Sequence, residues 1–141
     1  MMNNFTVNDF NLVLRNDLHT FMKKSFLSQH PGGVLADNWH LQAITHKLEL
    51  CMRGEIHRLL ITLPPRSLKT HIASVSFPAF LLGQDPSTKI LCASYSKQLS
   101  EVFSNQCRLL MMEDWYKELF PKTIISSLKI AKDVIIRFAS L

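Results

Sequence analysis

Glycine is scarce in this chain: four residues in 141. None of the four lies in Leu59–Ser74, LLITLPPRSLKTHIAS, the one stretch whose pattern asks for two. Cysteine is scarce as well. Cys51, Cys92 and Cys107 share no metal-ligand spacing and cannot all pair within one chain. A zinc module and a disulfide scaffold are excluded, and reduced, mostly buried thiols of a cytoplasmic protein are expected. Charged residues make up only 19% against 47% apolar, which excludes a disordered chain. No apolar run reaches membrane-spanning length, because Ser76, Pro78 and Gly83 interrupt or flank the longest. The opening MMNNFTVNDF lacks the basic and apolar regions of a signal peptide. Repeats, low-complexity tracts and coiled-coil heptads are missing too. What is left is a globular chain long enough for one domain and a sizeable core. Its net charge of +5 suits a nucleotide or nucleic-acid partner, and equally an ordinary basic enzyme.

Periodicity supplies the elements. Val7, Phe10, Leu14, Leu18, Phe21 and Met22 recur at helical steps and predict one amphipathic helix, broken by QHPGGVLADN. Asn38 is a candidate N-cap for a second helix over WHLQAITHKLELCMRG, closing near Gly54. Leu59–Leu63 reads as a buried strand, followed by a Pro-Pro turn and a helix from Lys69 to about Leu82 that Pro78 must bend or shorten. After the turn GQDPS, TKILCAS reads as a second strand and KQLSEVFSNQCRLLMM as a helix. Strand, helix, strand, helix predicts an α/β fold, with Leu59–Leu63 and Lys89–Ala93 parallel in one sheet. Ligands of such sheets bind beyond the carboxyl ends of the strands, where Pro64–Lys69 and Ser94–Tyr95–Ser96 lie.

Lys69 and Thr70 occupy the last two places of G-x-x-x-x-G-K-[ST], while Leu63 and Leu68 stand in the glycine positions. A loop of this kind holds phosphate because successive backbone N–H groups surround the oxygens. Arg66, Ser67, Leu68, Lys69 and Thr70 each keep an N–H; Pro64 and Pro65 have none. Lys69 can reach outer phosphates as a point charge, Thr70 can ligate magnesium, and the Arg66 fork can hold a phosphate or sense the terminal one. Leu68 is expected at negative φ with its side chain turned to the core, since positive φ would cost it about 1–2 kcal/mol. The local pattern leaves two readings open, a nucleotide loop and a helix-capped turn with solvated basic residues.

Five ordered blocks go further. They are the Trp39–His40 helix, Pro64-Pro65-Arg66 with Lys69-Thr70, the turn Leu82-Gly83-Gln84-Asp85-Pro86, Ala93-Ser94-Tyr95-Ser96, and Trp115-Tyr116 leading to Leu119-Phe120-Pro121. Over about Phe10 to Pro121 the chain resembles the large subunit of tailed-bacteriophage terminases, the ATP-driven motors that package viral DNA into capsids. The resemblance implies a P-loop NTPase-type parallel sheet, incomplete here. Residues 1–56 would be an N-terminal helical segment and 57–141 the first part of an ATPase domain, stopping before the second acidic (Walker B) strand. It implies ATP and Mg²⁺ as cofactors, with Lys69 and Arg66 catalytic, and Pro65, Arg66, Ser67, Leu68, Lys69 and Thr70 around the nucleotide. Thr70 would meet the metal and Gln42 the adenine. Ser94, Tyr95 and Ser96 are DNA-contact candidates whose hydroxyls can equally cap the next helix. Double-stranded viral DNA, the terminase small subunit and the portal protein are the implied partners, in the cytoplasm of a bacterial host and with no membrane.

The family's deviant loop, often P-P-R-x-x-K-[ST], accommodates non-glycine residues before the lysine. Trp39, Trp115, Tyr116 and Phe120 are expected as core residues, and His40 and His46, six apart, do not share a helix face for metal binding. Neither Asp114 nor Asp133 ends an apolar strand, so the second acidic motif is missing and hydrolysis by this chain alone is not expected. The alternatives are a non-catalytic module that binds nucleotide or DNA or docks to a terminase partner, and a helical interaction protein with no ligand at its Lys-Thr turn.

Overall fold

A computed structural model describes residues 6–125 and 136–140. Helix α1 (Val7–Asn16) opens on a capping box, in which Asp9 N–H donates to the Thr6 hydroxyl at 3.3 Å and Thr6 N–H donates to the Asp9 carboxylate at 2.8 Å. Asp17 then interrupts the apolar period. Its carboxylate accepts from Thr20 N–H at 2.7 Å and caps α2 (Leu18–Gln29), so the single helix expected from Val7 to Met22 is two. The chain turns through Gly32 at φ 79° into α3 (Trp39–Met52), which ends at Gly54 with φ 76°. Asn38 stands at the N-cap position of α3 but makes no side-chain capping bond.

The helix predicted from Lys69 forms in three parts: α4 (Lys69–His71), a wide π-helical turn (Ile72–Ser76) and α5 (Phe77–Gln84). Pro78 accounts for the wide turn. It has no N–H for the Ser74 carbonyl, and its ring would crowd that carbonyl in a regular helix. The turn instead closes with Phe77 N–H donating to the Ile72 carbonyl. Strand β1 (Ile90–Ser94), α6 (Lys97–Met112), α7 (Asp114–Leu119) and β2 (Ile136–Ser140) complete the described elements.

The core is built by helices. Phe21 of α2 is fully buried, with ring centroids 5.3 Å from Phe80, 5.6 Å from Trp115 and 6.0 Å from Phe120. The Tyr116 hydroxyl donates to the Ala79 carbonyl at 2.7 Å, and Thr123 donates to Leu82 at 2.9 Å, which fastens the α7 end onto α5. Tyr116 and Phe120 are core residues and Trp115 is half-buried under Lys24. Trp39 is not in the core. It is 80% exposed, because the first residue of α3 projects past the helices that α3 packs on. Cys107 is buried, which pushes its thiol up to about 12 and leaves it protonated.

The expected α/β fold with a P-loop NTPase-type parallel sheet is not what forms. The described residues are mostly helical, and Leu59–Leu63 belongs to neither helix nor strand. The only pairing among them is the short two-stranded one of β1 with β2. There is therefore no sheet in which Leu59–Leu63 and Lys89–Ala93 could be neighbours, and no crossover between them. The physical reason is visible in the burial. Ile61 and Leu63 pack against the helical core while Leu60 is 90% exposed. An inner strand of a parallel sheet would be covered on both faces. Strand propensity without a partner strand yields an irregular segment resting on helices. Asp133 and the rest of 126–135 lie outside the described residues. Among the described residues, no helix is long and apolar enough to cross a membrane.

Candidate functional site

Arg66 has φ 63° and Leu68 φ 59°, the left-handed conformation in both cases. The expectation of a negative φ at Leu68 is thus wrong. The chain must swing from Pro64-Pro65 into the helix at Lys69 within four residues, and it does so with two left-handed steps. Each costs a non-glycine residue about 1–2 kcal/mol. The Leu68 side chain offsets this by packing against the core, as expected. Its carbonyl also accepts the first helical bond, from Ile72 N–H at 3.0 Å. Left-handed backbone just before the lysine is what a glycine would ordinarily supply. Here the same turn is made without one.

The loop forms one wall of a cleft of about 540 Å³. Pro65, Arg66, Ser67, Leu68, Lys69 and Thr70 all line it. Facing them are Phe26 and His30 from the end of α2, His71 from α4, and Phe103 and Gln106 from α6. None of the lining residues is a carboxylate, and neither Arg66 nor Lys69 is in an ion pair among the described residues. The Ser67 hydroxyl is buried without a hydrogen-bond partner, and Thr70 is exposed. Two cations with no counter-charge favour an anion in this cleft.

The wall opposite the loop is aromatic. His30 stacks on Phe26 with centroids 4.5 Å apart, and His71 meets both rings edge-on at 6.1 Å and 5.7 Å. Burial, aided by the neighbouring His30, lowers the His71 pKa to about 4, so its ring is neutral at pH 7. Its Nε2 lies 3.2 Å from the Ser25 hydroxyl, which is 2.7 Å from that of Ser76. Gln29 of α2 donates to the Gln106 carbonyl of α6 at 2.8 Å and ties the two helices that supply this wall.

Other sequence candidates lie elsewhere. Gln42, proposed for adenine, is exposed on α3 in a separate depression with Asp17, His19, Thr45, His46 and Glu49. It does not line the loop's cleft, because α3 packs on α2 away from that wall. Ser94 ends β1, and Ser96 caps α6 by accepting from Leu99 N–H at 3.5 Å. Tyr95 between them is 82% exposed. Ser94 and Ser96 are also bonded to each other, hydroxyl to N–H, at 3.4 Å. For magnesium the described lining offers two hydroxyls, the buried one of Ser67 and the exposed one of Thr70, and no carboxylate. These residues do not make a metal site by themselves, and no group of three or more potential ligands gathers among the described residues.

Sequence reasoning missed Phe26, His30, His71, Phe103 and Gln106. His71 had a signal, since it follows Lys69-Thr70 directly. The others had none, because α2 and α6 are brought to the loop only by packing. No protein-family model, no curated protein and no solved structure matches the chain.

Proposed function

We propose that this chain binds the phosphates of ATP in the Arg66–Lys69 cleft, as the nucleotide-loop part of a phage terminase large subunit, and does not hydrolyse ATP alone. The observation that carries the ligand reading is the cleft itself, with two cations that have no ion-pair partner and no carboxylate beside them among the described residues, and loop residues 65–70 all on one wall. The ordered blocks from Trp39 to Pro121 support the family reading, and with it viral DNA, the small subunit and the portal as partners. Lys69 acts as a point charge on the outer phosphates and Arg66 as a bidentate fork, and Thr70 would offer one hydroxyl to a magnesium ion carried in by the nucleotide.

Phosphoryl transfer needs more than a charged loop. It requires groups that hold the metal and orient the attacking water on the far side of the γ-phosphate. Among the described residues the cleft holds no carboxylate for either task. Asp114 is on α7, exposed and 3.6 Å from Lys117. Calorimetric titration with magnesium-ATP tests the binding half: wild type binds and Lys69→Ala does not. Hydrolysis assayed with and without DNA tests the other half. Turnover near about one per second, lost in Lys69→Ala, would refute the inactive reading.

A second reading, a helical interaction protein with no ligand at the Lys-Thr turn, draws support from the helical architecture and the unpaired Leu59–Leu63 segment. Thermal stabilisation by nucleotide separates the two, since only a ligand that binds the folded state raises its melting temperature.

A further inference from the structure

Two left-handed non-glycine residues within three positions persist only where the surroundings over-determine them. The backbone gives little help. Between Ile56 and Ile72, no backbone N–H outside a helix donates to another backbone group among the described residues. Leu68 packing holds the loop from below. The remaining fastening is a side chain, His71, the residue directly after Lys69-Thr70.

Its bonding can be worked out atom by atom. The Ser25 hydroxyl has one hydrogen, and all three contacts are hydrogen bonds at once only when it goes to the Met22 carbonyl, 2.9 Å away, which can only accept. Ser25 Oγ is therefore the acceptor for its other two partners. Ser76 O–H donates to it at 2.7 Å, and His71 Nε2–H donates to it at 3.2 Å. Ser25 and Ser76 are fully buried, so this three-membered knot excludes water. Ser25 belongs to α2, His71 to α4 and Ser76 to the wide turn that precedes Pro78. Phe26 and His30 close around the His71 ring from α2.

We infer that His71 is a positioning residue. Its Nε2–H bond to Ser25 ties the end of the loop to α2 and so sets the conformation in which Arg66 and Lys69 face an anion. The regular regions of the core do not depend on this bond; the strained loop does. This inference rests on the anion-binding reading for its effect on affinity, but the fastening itself can be observed without ligand.

The experiment compares three substitutions at one position. His71→Gln keeps a donor close to the place of Nε2, His71→Met keeps the bulk without a donor, and His71→Ala removes both. Magnesium-ATP affinity is measured by calorimetry, together with ¹⁵N order parameters of Arg66–Thr70 in the ligand-free protein. The expected result is at least a tenfold loss of affinity in His71→Met and His71→Ala and near-wild-type affinity in His71→Gln. Loop order should fall only where affinity falls. Ser25→Ala should lose as much as His71→Met, and the double variant no more than either, because one bond is being removed twice. The inference is overturned if His71→Met binds like wild type, if the Ser25 and His71 losses add, or if loop order is unchanged in His71→Met. If wild type binds no nucleotide, the function proposed above falls; an unchanged loop order in His71→Met would then remove the inference separately.

Discussion

Exchanging Leu68 for glycine and, separately, for alanine isolates the backbone strain that the loop carries. Both changes delete the same half-buried side chain and lose the same packing against the core, of the order of 1 kcal/mol for half of a leucine's burial. They differ in one respect, the Cβ at φ 59°. Alanine keeps the left-handed penalty of about 1–2 kcal/mol, and glycine does not. Glycine in turn loses about 0.5–1 kcal/mol more backbone entropy on folding. The balance leaves Leu68→Gly more stable than Leu68→Ala by about 0.5–1 kcal/mol, and close to wild type. In a right-handed helix the order is reversed, with alanine ahead of glycine by about 1 kcal/mol. Urea unfolding followed by circular dichroism resolves the pair, with a difference of about two to four degrees in parallel thermal melts. Alanine equal to or more stable than glycine would refute the left-handed geometry, and with it the account of how the loop turns without a glycine.

Gly83→Ala places a Cβ 2.5 Å from the Phe120 ring, which is 5% exposed and packed against Phe21, Phe80 and Tyr116. Overpacking of about 1–3 kcal/mol outweighs the helix-propensity gain of about 1 kcal/mol, so the urea midpoint falls. Tyr116→Phe removes the bond to the Ala79 carbonyl and lowers unfolding free energy by about 1 kcal/mol with the packing retained, read from the same denaturant curves. His71 is kept neutral, its pKa lowered from 6.5 in the unfolded chain to about 4 in the folded one. Its contribution is complete above pH 6.5 and lost as pH falls toward 4, because the unfolded chain there takes up a proton that the folded one refuses. Unfolding free energy should decline across that window, and the decline should flatten in His71→Gln.

Helices were the legible part of the fold. The spans of α3 and α6 follow from the apolar period and from Gly54 and Ser96 at their ends, both of which are local signals. Pro78 announced a disturbed helix, and the wide turn at Ile72–Ser76 is the form it took. Asp17 was a local signal passed over: a capping carboxylate amid an unbroken apolar stripe divides α1 from α2. At the site, the chemistry of Arg66, Lys69 and Thr70 was readable from residue type and order alone.

The sequence by itself determined the helices α3 and α6, the buried aromatic residues Tyr116 and Phe120, and a basic loop after Pro64-Pro65. These depend on period, propensity and composition within a few residues of the position concerned. Tertiary structure alone decided three things. It left Leu59–Leu63 unpaired, because a β-strand exists only through its neighbour and none of the described strands lies beside it. It gave Leu68 a left-handed backbone, because core burial of the side chain offsets a strain that the residue type disfavours. And it made the far wall of the cleft from Phe26, His30, Phe103 and Gln106, residues up to 80 positions apart in the chain, since Phe26 and Gln106 meet only where α2 packs against α6.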